Sequence, residues 1–160
     1  MKYARLTKEQ FEELHKEFIN FLATQSITAS EWEDIKINKP EAAEEELDIF
    51  SDLVWEGVLN QAQFLEHFSP QQIFLFKITE VTINLIGVKV DNDQIDITTR
   101  AGYGLLQKNL MDDSVSLYTS SKVISEDRNQ DIFALIQKGA VKTRGNLYGY
   151  FEKHLGLEGD

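Results

Sequence analysis

The stretch Gln72-Ile73-Phe74-Leu75-Phe76-Lys77-Ile78-Thr79-Glu80-Val81-Thr82-Ile83-Asn84-Leu85-Ile86-Gly87-Val88-Lys89-Val90 decides the fold. It is rich in β-branched and aromatic residues, with apolar and polar positions alternating in places. That pattern predicts two strands, 72–79 and 82–90, joined as a hairpin that turns near Glu80. The partial alternation implies an antiparallel sheet with helices over one face. Asp91-Asn92-Asp93 reads as a turn, and Ile95-Asp96-Ile97-Thr98 as a third strand.

Upstream the period is helical. Thr7 with Gln10 three residues on forms a capping box, and Phe11, Leu14, Phe18, Phe21 and Leu22 follow on one face, predicting a first helix that ends near Thr24. Thr28-Ala29-Ser30-Glu31 is a second capping box and opens a short helix carrying Trp32 and Ile35. Pro40 suits the first turn of a third, long helix over 39–62. Its apolar stripe is Leu47, Phe50, Val54 and Val58, flanked by Trp55 and Leu59. Glu41, Glu45, Asp48, Asp52 and Glu56 form an acidic stripe within about an 80° arc of the same helix.

Downstream, helices alternate with strands. A helix is expected over 100–110, a strand over 115–119, a helix capped by Ser125 and stopped at Gly139, an extended segment at 141–143, and a last helix over 146–155. Ile97-Thr98-Thr99-Arg100 before Tyr103-Gly104 resembles Val141-Lys142-Thr143-Arg144 before Tyr148-Gly149, as two strand-to-helix turns with similar demands would. The predicted class is α+β. Three N-terminal helices precede a small, mainly antiparallel sheet, with further helices interspersed. Only two prolines occur, and no Pro/Gly/Ser-rich linker interrupts the chain, so residues 1–160 are expected to form a single domain.

Composition bounds the chemistry. There is no cysteine, so disulfides, thiolate nucleophiles and zinc–thiolate sites are excluded. No run approaches the roughly 18 apolar residues of a membrane span, and the opening MKYARLTKEQFEE lacks the apolar core of a signal peptide. A soluble, cytoplasmic protein is expected. The net charge of −11 is uneven: residues 1–69 carry 6 Lys/Arg against 15 Asp/Glu, and residues 70–160 carry 10 against 12. An acidic N-terminal half argues against nucleic acid and anionic membrane surfaces and favours a basic protein partner. The basic residues of the C-terminal half, interleaved with Tyr103, Tyr118, Tyr148 and Tyr150, are diluted by acids.

The chemical motifs are incomplete. Glu12 and His15 have the Glu-x-x-His spacing of carboxylate di-iron bundles, but no second copy follows. Gly102-Tyr103-Gly104 sits at a strand-to-helix turn, as in a phosphate-binding loop, yet the third glycine is missing and no Lys-Ser/Thr follows. His15, His67 and His154 are scattered, and there is no Gly-x-Ser-x-Gly elbow. No catalytic residue, cofactor or metal is assigned.

Four blocks stand out as a set: residues 6–11, 18–28, 47–59 and 125–129. As a set they resemble a family of short acidic bacterial proteins classed as a domain of unknown function. The resemblance runs the length of the chain and implies a bacterial setting. It carries no catalytic motif.

The expected function is therefore that of a non-enzymatic binding or regulatory protein working through protein–protein contact. The partner-binding set is Glu45, Asp48, Asp52, Trp55 and Glu56 on the acidic helical face. The alternative is an enzyme or small-molecule binder with a pocket between the sheet and the C-terminal helices. There Arg100 and Arg144, each after a threonine at a helix start, would hold an anionic ligand.

Overall fold

The computed structural model describes residues 1–157. In chain order the elements are α1 (Lys8–Glu13), α2 (His15–Thr24), α3 (Ala29–Asn38), α4 (Pro40–Gln61), β1 (Phe64–Ser69), β2 (Gln72–Ile78), β3 (Thr82–Val90), α5 (Arg100–Lys108), β4 (Val115–Val123), α6 (Arg128–Gln137), β5 (Val141–Thr143) and α7 (Asn146–His154). The class is α+β. The chain divides into two compact units, Met1–Asn60 and Gln61–Asp160.

The first unit is helical. The Thr7 capping box closes in both directions, Gln10 N donating to Thr7 Oγ1 at 3.2 Å and Thr7 N to Gln10 Oε1 at 2.8 Å. The expected first helix is broken at Leu14 (φ −98°, ψ 25°), so four helices, not three, precede the sheet. The break has a packing reason. On a straight helix Phe11 and Phe18 would be separated by roughly 10 Å of rise; here their rings meet edge to face at 5.7 Å. Thr28 caps α3, accepting from Glu31 N at 3.2 Å. Leu6, Phe21, Leu22 and Phe50 form the buried centre, with Phe11, Phe18, Trp32, Val54 and Trp55 packed around it. Val58, expected on the buried stripe, is exposed. Eight residues beyond Phe50, it has rotated about 80° off that face.

The second unit holds one antiparallel sheet in the order β4-β3-β2-β1-β5. The predicted hairpin is β2–β3, with Ile73 opposite Val88 and Leu75 opposite Ile86. Those four residues, with Val90, Ile97, Leu106, Tyr148 and Phe151, make the core beneath α5 and α7. Helices were expected over one face only. The other face also carries Phe76, Ile83 and Leu85, and Leu135 of α6 lines a small cleft with them. Alternation in β2 and β3 is apolar against apolar at these positions, which is why both faces take cover.

Two further expectations change. Residues 95–98 do not form a strand but a turn. Asp96 Oδ1 accepts from Thr98 N at 2.9 Å, and Ile97 N donates to Pro70 O at 2.8 Å, which drops the single buried side chain of Ile97 into the core. A local Asx-type bond has outcompeted the ladder. The helix over 128–137 is capped by Asp127, which accepts from Gln130 N, while Ser125 Oγ instead donates to Asp131 Oδ1 at 2.9 Å.

Candidate functional site

The helical unit contains an open cleft of about 440 Å³, within the roughly 300–1,000 Å³ range of binding pockets. Phe11, Phe18, Ile19, Leu22, Ile27, Trp32 and Leu47 line it, and Lys8, Glu12, His15, Glu33 and Lys36 stand around it. Its lining comes from α1, α2 and α3, from Ile27 in the short α2–α3 connection, and from Leu47 of α4. Phe18 is its central wall. Its ring meets Phe50 at 5.1 Å, Trp32 at 5.3 Å, Phe11 at 5.7 Å and Phe21 at 6.2 Å. Despite those four aromatic neighbours Phe18 is only half-buried. A core aromatic is normally closed on every side, and this one keeps a side open to the cleft. On the lip, Ile19 is 47% exposed, and Lys36 pairs with Glu33 at 2.8 Å.

The acidic face of α4 is not bare. The chain's first residues run along it as an extended strap. Asp52 accepts the backbone N–H groups of Lys2 at 2.7 Å and Tyr3 at 2.9 Å through its two oxygens. The Tyr3 hydroxyl donates to Glu56. Arg5 Nε donates to Asp48 Oδ1 at 2.7 Å, and its Nη2 reaches Glu44 Oε2 at 2.8 Å. Leu6 then enters the core, its N–H donating to the buried Ser51 Oγ at 3.1 Å. Burial and the bond to Glu56 hold the Tyr3 phenol above its ordinary range. Like charges one turn apart on a helix repel, and the strap brings them cations and N–H donors. Of the expected partner-binding set, Asp48, Asp52 and Glu56 are thus engaged from within. Glu45 is exposed, and Trp55 is half-buried against the helical core, not presented as a free edge.

Arg100 and Arg144 are both exposed. Their anchors lie at opposite ends of β1. Arg100 follows the turn whose Ile97 bonds to Pro70, just past Ser69, whereas Arg144 follows Thr143, which is paired with Phe64. Five residue steps of strand, roughly 17 Å, separate those backbone anchors.

The histidines are equally dispersed. His15 is on the rim of the helical cleft, His67 packs its ring on Gly139 and Phe74, and His154 borders a small cleft with Gln107 and Asp112. Gly102 has a packing role: a Cβ there would sit 1.8 Å from the Asp96 carbonyl oxygen. Among the described residues no group of three His, Asp or Glu is placed to hold a metal ion, and no helix is long and apolar enough to cross a membrane.

Reading the sequence alone missed the cleft. Phe11, Phe18 and Leu22, which line it, fall on the apolar face of the first predicted helix and read as core.

No curated protein and no solved structure matches this chain. A family model described as a family of unknown function (DUF6495) matches residues 1–156, and the chain belongs to that family.

Proposed function

We propose that this is a non-catalytic binding protein whose helical unit takes an apolar anchor of a basic partner segment into the cleft walled by Phe18. The observation that carries the reading is Phe18 itself, ringed by aromatics yet open on the cleft side. Two or three side chains at helical spacing would fill the volume, the usual way an amphipathic segment enters a groove. The choice of a basic partner rests on charge. Residues 1–60 carry 6 Lys/Arg against 14 Asp/Glu, a net −8, and such a field steers cations toward the unit. The strap supports the same reading, because a Lys-Tyr-Ala-Arg segment already lies along α4. Acids outside the strap, such as exposed Glu45, serve attraction, and the cleft supplies the apolar anchor. A bacterial, cytoplasmic setting belongs to this reading.

The test is a titration with an amphipathic peptide of leucine and lysine at helical spacing, followed by calorimetry and by the fluorescence of Trp32. Saturable binding is expected, weakened at least tenfold by Ile19→Glu. That substitution adds negative charge, which by electrostatics alone would strengthen binding to a basic peptide, so a loss reports the apolar anchor. If the peptide does not saturate, or binds Ile19→Glu equally well, the proposal fails.

A further inference from the structure

The two edges of the sheet are built differently. β5, at one edge, has three residues and carries Lys142. A short, charged edge strand is the usual defence against pairing with another chain. β4, at the other edge, has nine residues in unbroken register with β3 from Thr82–Val123 to Val90–Val115. It holds no proline and no bulge, and Lys122 is the only charged residue between 114 and 125.

The direction of its backbone groups follows from two bonds. Ile124 N donates to Val81 O, and Asp91 N donates to Ser114 O. Even-numbered residues of β4 therefore turn their N–H and C=O toward β3, and odd-numbered residues turn theirs outward. Among the described residues, the N–H groups of Leu117, Thr119, Ser121 and Val123 have no backbone partner.

We propose that β4 pairs antiparallel with β4 of a second copy of this chain, about a two-fold axis at Thr119, extending the sheet continuously through two subunits. The observations favour a copy over a foreign strand because the strand is complementary to itself. With Thr119 opposite Thr119, Leu117 faces Ser121 and Val115 faces Val123, and each of these is an outward-facing residue. All the outward donors are thereby used, in about eight bonds. Val123, 77% exposed in the single chain, is covered by a valine. Thr–Thr and β-branched pairs are favourable across strands. Lys122 meets Ser116, so no like charges stand opposite within the ladder. The symmetry is isologous and closed, as a dimer requires. Acids lie only beyond the strand ends, at Asp112, Asp113 and Glu126. Repulsion there makes the association strengthen with added salt.

The experiment is sedimentation equilibrium from about 1 to about 500 μM, the range in which modest interfaces dissociate, at low and high salt. The full chain is compared with Thr119→Pro and Thr119→Lys. The proline removes a donor that faces away from β3, a position where edge strands accept it. The lysine places two like charges face to face on the axis. Thr119 is exposed, and circular dichroism at low concentration confirms that each variant is folded. Should the proline variant unfold, the lysine variant decides alone. The wild type is expected to double its mass with concentration, with amide exchange slowing at Leu117, Thr119 and Ser121, while the variants stay monomeric. A wild type that is monomeric throughout overturns the proposal and leaves the edge to a strand of another protein. A Thr119→Lys variant that dimerises as tightly as wild type also overturns it.

Discussion

Arg5 closes on Asp48 with two nitrogens on a single carboxylate oxygen, Nε at 2.7 Å and Nη2 at 2.6 Å. This clamp spans 43 positions of sequence and ties the strap to α4. Both side chains are about one-third exposed, so solvent screens the pair. A double-mutant cycle on Arg5→Ala and Asp48→Ala should give a coupling of about 0.5–1 kcal/mol, falling with added salt. Zero coupling at low salt would mean that Arg5 spends its time elsewhere, on Glu44 or in water.

Ser51 holds the next turn of the strap. Its hydroxyl donates to Leu47 O at 2.7 Å and accepts from Leu6 N, and the residue is fully buried. In Ser51→Ala the Leu6 N–H is left in an apolar setting with no acceptor. A buried donor stripped of its partner costs about 1–3 kcal/mol. Chemical denaturation should show that loss with an unchanged slope. If the variant is as stable as wild type, water reaches the Leu6 amide and the strap is looser than its bonds suggest.

The strap explains what was hard to read in the sequence. Residues 1–6 have no period, and their partners Asp48 and Asp52 are more than 40 positions away. The acidic stripe on α4 was plain from helical spacing, but spacing could not say that the chain's own first residues would lie along it. Similar logic governs the sheet. Ile73, Leu75, Ile86 and Val88 announced β2 and β3 because both their faces are apolar. β1 was silent because Glu66 and His67 stand in its middle on opposite faces and erase the pattern. The cleft was hidden for a third reason: Phe18 and Trp32 look like core residues in any linear reading, and helical spacing does not show the open space beside them.

Gly102 and Gly104 share α5 yet should respond to alanine with opposite signs. At Gly102 a Cβ meets the Asp96 backbone carbonyl at 1.8 Å, and backbone cannot swing aside. Gly102→Ala should lower stability by about 1–3 kcal/mol, as overpacking does. At Gly104 nothing lies within 4 Å of the new Cβ, and alanine there should raise stability by about 0.5–1 kcal/mol through helix propensity. Thermal midpoints of the two variants should fall on either side of wild type. Equal shifts would show that α5 adjusts as a body and that the close approach to Asp96 does not matter.

The partly buried Glu66 carboxylate is set against apolar neighbours. It stands on β1 directly opposite Leu75 on one side and Val141 on the other, and burial pushes its carboxyl above the ordinary range. Burial also raises the Tyr103 phenol, with added repulsion from Tyr150 and from Glu66, which places these groups close together. The sign follows from linkage. A group whose folded pKa is raised favours folding while it is protonated, below its unfolded value, and that contribution is lost as pH rises through the folded value. At neutral pH, wild type therefore carries a desolvated charge that Glu66→Gln does not. The variant should melt higher than wild type near pH 7, and its advantage should vanish as the pH falls through the carboxyl range, where wild type becomes neutral too. Melting curves of both proteins across that interval decide the matter: a constant difference at every pH would assign the effect to the amide's hydrogen bonds and not to the buried charge.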